Sequence, residues 1–283
     1  MTNLELVERY RAAFSSFDAA QYGPFLADDP VYHSGMTMRR GRAAVDQVTA
    51  AGRVLYPFGA MRSTARRVVA QGDWVAELIE REAITNADAH YENVDAMFSE
   101  VRDGRIATQV ELLDFRVAAA KCDLSALGPP PDPGVQQVPT QIASPPAGDD
   151  RSPETEATRT VLGFLDAFLS FEPERFVDRL ITDPLHQVGT SRRTGRDAFL
   201  TMAAAGRVLY PEGIAGRTHH VLVSDGTTVA TLFSLRARTH IGVDYENLYG
   251  MFVDVHNGRI ASLVEVYDTR VAAGAFDLSV LAL

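Results

Sequence analysis

Residues 91–114 read YENVDAMFSEVRDGRIATQVELLD, and residues 245–268 read YENLYGMFVDVHNGRIASLVEVYD. Each stretch is two runs of alternating apolar and polar residues around a turn pair, Asp103-Gly104 or Asn257-Gly258. That pattern is the signature of a β-hairpin with one buried face. Because it occurs twice, the chain is best read as a duplication.

The duplication extends well beyond the hairpin. Gly206 minus Gly52 is 154, and so is Glu265 minus Glu111. The run AAGRVLYP begins at Ala50 and again at Ala204, Phe14 matches Phe168, and Gly41-Arg42 matches Gly195-Arg196. From Ala50 onward about half of the matched positions are identical. A period this long describes two whole domains, not a solenoid of small units. The expected division is domain 1 at 1–127, a Pro-rich linker at 128–155 and domain 2 at 156–283. The linker, GPPPDPGVQQVPTQIASPPAGDDRSPET, has no periodic apolar pattern and reads as an extended, semi-rigid spacer.

Composition narrows the class. The net charge of −10 argues against nucleic acid and anionic membrane as partners. No apolar run is long enough to span a bilayer, and the N-terminus reads as an amphipathic helix without a signal-peptide core. Cys122 is the single cysteine, so no intrachain disulfide forms and a reducing cytoplasm is expected. The chain has no GxGxxG, Walker, HExxH or GxSxG motif and no Cys/His cluster with metal spacing. No cofactor and no metal are expected. What remains is an apolar pocket with a few polar groups, suited to a small hydrophobic substrate.

Within one unit, helical spacing covers Glu5 to Phe17, Ala19 to Leu26 and Arg42 to Leu55. Val31 to Ser34 is a short strand. Longer strands are predicted at Thr64 to Ala70, Trp74 to Ala83, Tyr91 to Val101 and Arg105 to Phe115. Asp114 and Asp268 precede helical tails and read as N-caps. Helices followed by antiparallel strands make an α+β layout, with the helices on one face of the sheet.

The helix–helix–strand–helix order, the long strands, the Asp-Gly-basic-Ile turn and an acidic residue seven positions after that glycine resemble the SnoaL-like polyketide cyclases. Those belong to the nuclear-transport-factor-two-like superfamily, with ketosteroid isomerase and limonene epoxide hydrolase. The resemblance covers both units and omits only the linker. It implies two tandem cone-shaped domains, each a curved, mainly antiparallel sheet with three helices, packed as an intramolecular pseudo-dimer. A linker of this length raises the effective concentration to roughly millimolar. The resemblance also implies an acid/base carboxylate at Glu111 and Glu265. A histidine of the family falls at Met97 and Met251, where this chain departs from the pattern.

The face that these residues share depends on the turn. A three-residue loop, Arg102-Asp103-Gly104, pairs Val101 with Arg105 and sets Asp95 opposite Glu111 and Tyr249 opposite Glu265. Tyr91, Asn93, Asp95, Met97, Gln109, Glu111 and Leu113 then share one face, as do Tyr245, Asn247, Tyr249, Met251, Leu263, Glu265 and Tyr267. A two-residue loop separates Glu111 from that set. A carboxyl on an apolar concave face is desolvated, which raises its pKa toward neutrality where it exchanges protons. Asp95 adds like-charge repulsion to Glu111; Tyr249 is placed to donate to Glu265.

Glu265, Glu111, Asp95, Tyr249, His33 and Tyr10 are therefore the catalytic candidates. Tyr91, Asn93, Met97, Tyr245, Asn247, Met251 and Tyr267 are the substrate-contacting ones. Tyr10 falls on the oxyanion-hole tyrosine of ketosteroid isomerase. The basic aspartate of that enzyme falls near His33 or Ser34, and near Gln187 or Val188. Neither place holds a carboxylate, so His33 is the base candidate there, with His186 one position earlier in the second copy. Asn93 and Asn247 orient a glutamate or hold a ligand carbonyl. His219-His220 is read as strand surface. The expected function is cofactor-independent acid/base chemistry on a hydrophobic oxygenated molecule: cyclisation, isomerisation or dehydration. The alternatives are polyether-type epoxide opening and a non-catalytic ligand-binding or scaffold module.

Overall fold

The computed structural model describes residues 1–59, 61–129, 132–136 and 155–281. The chain divides into two compact units, Met1–Ile142 and Ala143–Leu283. Most of the linker expected at 128–155 lies outside the described residues.

Unit 1 runs α1 (Asn3–Phe14), α2 (Ala19–Tyr22), β1 (Leu26–Ser34), β2 (Thr37–Arg40), α3 (Arg42–Leu55), β3 (Arg62–Gln71), β4 (Trp74–Ile84), β5 (His90–Arg102), β6 (Arg105–Leu112), α4 (Phe115–Lys121) and β7 (Val135–Gln136). Unit 2 repeats the plan with α5 (Glu156–Phe168), α6 (Pro173–Phe176), β8 (Leu180–Val188), β9 (Ser191–Thr194), α7 (Arg196–Leu209), β10 (Ile214–Ser224), β11 (Thr228–Arg238), β12 (Asp244–His256), β13 (Arg259–Tyr267) and α8 (Thr269–Ala275). The sheet orders are β3-β4-β5-β6-β1-β2-β7 and β10-β11-β12-β13-β8-β9. Among the described residues only the β1–β6 and β8–β13 pairs are parallel. The α+β class and the mainly antiparallel sheets match the sequence reading. No helix among the described residues is long and apolar enough to cross a membrane.

Local chemistry explains the boundaries. Thr2 and Glu5 form a capping box, which starts α1 before the predicted Glu5. Asp114 and Asp268 are N-caps, accepting from Arg116 N and Arg270 N at 3.0 Å each. The matched Arg42 and Arg196 donate back to the carbonyls of Leu26 and Leu180 at 2.8 and 3.0 Å, tying each long helix to the start of the first strand of its unit.

The turn is two residues, not three. Arg102 pairs with Arg105 and His256 with Arg259. Asp103, Gly104, Asn257 and Gly258 all have positive φ, between 50° and 70°. This is the type I′ arrangement, whose twist matches the flanking strands. By itself it moves Glu111 to the other face. A bulge reverses that: Val101 pairs with Ile106 but Glu100 with Thr108, so Ala107 is the extra residue. Ala261 plays the same part in unit 2. Glu111 returns to the inner face, opposite Met97 and not Asp95; Glu265 stands opposite Met251 and not Tyr249. The repeated GRIA is thus a turn-and-bulge device.

The repeated glycine of AAGRVLYP is a close-approach site. A Cβ on Gly206 would lie 2.3 Å from Phe171 Cε1, and one on Gly52 would lie 2.5 Å from Phe17 Cε1. Both phenylalanines have positive φ and stack on the tyrosine of the same motif, Phe171 on Tyr210 at 5.8 Å and Phe17 on Tyr56 at 6.0 Å. Gly206→Ala must displace a ring that is held on two sides, so we expect a loss of about 1–3 kcal/mol. An unchanged midpoint in urea unfolding would contradict this account.

Candidate active site

In each unit the inner face is the side of the sheet against which the helices pack. On unit 1 it carries charge. Arg81, on β4, is 3% exposed and lies between two carboxylates. Its Nε donates to Asp95 Oδ2 at 2.7 Å and its Nη2 to Glu111 Oε1 at 3.3 Å. Its Nη1 donates to Ser63 Oγ at 2.7 Å and Ser15 Oγ at 3.3 Å. The hydroxyl of Tyr32 donates to the other oxygen of Glu111. A second pair, the partly buried Arg11 with the buried Glu77, joins α1 to β4. Burial opposes the Arg81 charge, but Asp95 and Glu111 more than offset it and hold the guanidinium protonated. Burial pushes Asp95 up, with Arg81 opposing and Glu111 adding to the rise.

This geometry corrects several expectations for unit 1. Asp95 and Glu111 are brought to one site, where Glu111 adds to the rise of Asp95 as expected, but Arg81 bonds to both and opposes that rise. His33 is not the group at Glu111; Tyr32 is, and adjacent strand residues face opposite sides. The Tyr10 hydroxyl donates to Gln109 Oε1 at 2.7 Å in the core and is already engaged. Asn93 neither orients a glutamate nor waits for a ligand. Its amide nitrogen donates to Tyr91 Oη and Asp114 O at 2.9 and 3.1 Å, and its oxygen accepts from Val94 N at 2.9 Å.

On unit 2 nearly every one of these charges is absent. At the offset of 154, Arg81 becomes Leu235, Asp95 becomes Tyr249, Arg11 becomes Leu165 and Glu77 becomes Thr231. Glu265 remains. Its carboxyl makes no hydrogen bond or ion pair to the described residues. Burial alone pushes its pKa from 4.5 to about 7. The expected Tyr249 donation to Glu265 is not made.

Instead the tyrosines bond to each other. Asn247 donates to Asp268 O at 2.9 Å and to Tyr245 Oη at 2.8 Å, and accepts from Leu248 N. The Asp268 carbonyl only accepts and the Leu248 amide only donates, so the orientation of the Asn247 amide is forced. Tyr245 Oη lies 2.6 Å from Tyr249 Oη, which is 3.4 Å from Tyr210 Oη. Tyr245 also accepts from Asn247, and in each Tyr–Tyr contact either hydroxyl can be the donor, so the three hydroxyls form one connected chain. Burial raises all three hydroxyls, Tyr210 to about 12, so they stay protonated donors. Tyr249 stacks on Phe233 at 5.5 Å and meets Tyr267 at 5.3 Å. Met251 is 1% exposed beneath Glu265.

The His219-His220 pair is not strand surface. It sits at a bulge of β10; His220 is 4% exposed and lies 3.1 Å from Ser234 Oγ, and His219 lies 2.8 Å from Thr231 Oγ1. Among the described residues no group of three or more His, Cys, Asp or Glu is placed to hold a metal ion.

Arg81, Tyr32 and Tyr210 were not singled out as site residues by the motifs, and His186 was named only as the displaced counterpart of His33. A signal for Arg81 does exist within the one sequence: Arg81 and Asp95 change together between copies, as do Arg11 and Glu77, and paired change marks contact.

Residues 7–109 match the SnoaL-like domain family. The first unit is a SnoaL-like domain. The second unit repeats its sequence at a constant offset and its strand order over β10 to β9. No curated protein matches the sequence. Among solved structures, wild-type IdmH, a putative polyketide cyclase from Streptomyces antibioticus, is 22% identical, with 43% of this chain and 98% of that one covered and a TM-score of 0.38. A ketosteroid isomerase-like protein from Catenulispora acidiphila, in complex with trimethylamine, is 18% identical over 44% of this chain and 97% of that one, TM-score 0.39. AclR, a putative hydroxylase from Streptomyces galilaeus, is 15% identical over 42% and 92%, TM-score 0.38.

The free carboxyl of the second unit has a consequence for stability. In the folded chain Glu265 keeps its proton up to about pH 7, whereas an unfolded carboxyl loses it near 4.5. Between those values the folded state holds more protons, so stability falls as pH rises through this window. Asp95 and Glu77 are also raised and act in the same direction. The drop in melting temperature from pH 5 to pH 8 is therefore expected to shrink in Glu265→Gln. An equal drop in parent and variant would show that Glu265 is not perturbed.

Proposed function

We propose that this tandem SnoaL-like protein performs cofactor-independent acid/base chemistry on a hydrophobic, oxygenated small molecule, and that unit 2 carries the reaction. Cyclisation, isomerisation and dehydration all need a group that takes a proton from carbon or oxygen and returns one. The observation that carries the reading is the contrast between the two matched glutamates. Glu111 accepts from Arg81 and Tyr32, while Glu265 has no partner among the described residues and burial pushes it up to about 7. A carboxyl in that state is poised to act as base and then acid. The hydroxyl chain ending at Tyr210 supplies donors for an oxygen that gains charge. Unit 1, whose inner carboxylates Asp95, Glu111 and Glu77 are each paired with an arginine, is the non-catalytic copy in this proposal.

A nitrobenzisoxazole is a suitable probe, since abstraction of one ring proton opens it to a coloured phenolate. Turnover is expected to be lost in Glu265→Gln and retained in Glu111→Gln. Full turnover in Glu265→Gln rejects the proposal and leaves a binding module.

A further inference from the structure

Unit 2 holds a second buried titratable group on the inner face. His186 occupies the position of Tyr32, whose hydroxyl reaches Glu111 in unit 1. The strand register is the same: Tyr32 pairs with Gln109 and His186 with Leu263, each two residues before the glutamate. His186 is 4% exposed, and its Nε2 has no hydrogen-bond partner among the described residues. Phe199 of α7 lies 4.9 Å from the imidazole and Phe168 of α5 lies 6.5 Å away, so helices and sheet clamp the ring. An orphaned buried nitrogen costs about 1–3 kcal/mol. An aromatic core residue, as at matched Tyr32, would avoid that cost. The imidazole is shorter than a phenol and does not close onto Glu265, whose carboxyl makes no bond to it.

We propose that His186 is a catalytic residue of the Glu265 site, donating from Nε2–H to the substrate oxygen on which charge develops as Glu265 takes the proton. This rests on the reading of unit 2 given above and adds the residue that stabilises the developing oxyanion. Burial, with Arg193 adding, pushes the imidazole down to about 4, so it is neutral at pH 7. A neutral imidazole serves as hydrogen-bond donor to an oxygen gaining charge without itself becoming an acid of ordinary strength. With benzisoxazole, Glu265 takes the ring C–H proton and that electron pair closes the nitrile as the N–O bond breaks. The oxygen leaves as a phenolate bonded by His186, and the proton on Glu265 passes to water.

The test compares two leaving oxygens, in unsubstituted benzisoxazole and in its nitro derivative, whose phenolate needs less stabilisation. His186→Phe is expected to slow the unsubstituted compound by about 100-fold, the usual effect of removing one oxyanion donor. It should slow the nitro compound far less, and His186→Gln should fall between, since its amide keeps a donor. Equal slowing of both compounds, or none, overturns the proposal. A measurement on the unaltered protein guards against a variant that fails to fold. Adding nitrophenolate should move the His186 Nε2–H proton resonance downfield, and no movement counts against the role. Loss of turnover in Glu265→Gln alongside a negative His186 result rejects only this inference. Full turnover in Glu265→Gln rejects the reading of unit 2 itself.

Discussion

Arg81→Met is expected to destabilise unit 1 by about 3–5 kcal/mol, the cost of leaving a buried charge without its partner. Arg81 is the cation shared by Asp95 and Glu111, and it also uses Ser15 and Ser63. Removing it leaves two carboxyls on one buried face with only Tyr32 to donate. One of them must then take a proton, so the loss should be larger at pH 8 than at pH 5. The readout is selective, because the chain has a single tryptophan and Trp74, 8% exposed, belongs to unit 1. Its fluorescence reports the unfolding of that unit in urea. The protein also contains its own control. Unit 2 has Leu235 and Tyr249 where unit 1 has Arg81 and Asp95. Arg81→Leu combined with Asp95→Tyr is therefore expected to recover most of the loss, because replacing a buried ion pair by packed apolar groups is often neutral. A single Arg81→Met variant as stable as the parent would show that the triad carries no net burden.

Glu265→Gln should slow proton abstraction by about 10²–10⁴-fold, the range for a positioned general base, or roughly 3–5 kcal/mol of transition-state stabilisation. Glutamine keeps the shape and removes the titrating group. The parent rate should rise with pH and level off above about 7, following Glu265. The variant profile should be flat across that range. Glu111→Gln should retain the parent rate and profile, since Glu111 is held between Arg81 and Tyr32. A pH profile with no inflection near neutrality, or one abolished by Glu111→Gln in place of Glu265→Gln, would assign the chemistry to the wrong copy here.

The duplication, the α+β layout, the N-caps at Asp114 and Asp268 and the hairpins at Asp103-Gly104 and Asn257-Gly258 were legible in the sequence. They rest on local terms: alternation, capping side chains and residues that tolerate positive φ. The pairing across each hairpin was not legible, because one extra residue, Ala107 or Ala261, shifts every partner beyond it while restoring the same face. The two glutamates stood out in the sequence, but not their opposite circumstances. Arg81 is 14 residues from Asp95 and 30 from Glu111. Only a third strand beside the hairpin brings it between them. Likewise Tyr32 reaches Glu111, and His186 takes the matched place in unit 2, from a strand that joins in parallel from the other edge. Composition and spacing could name the carboxyls. Whether each is paired or bare depends on which distant strands lie beside it, and that is a property of the folded sheet alone.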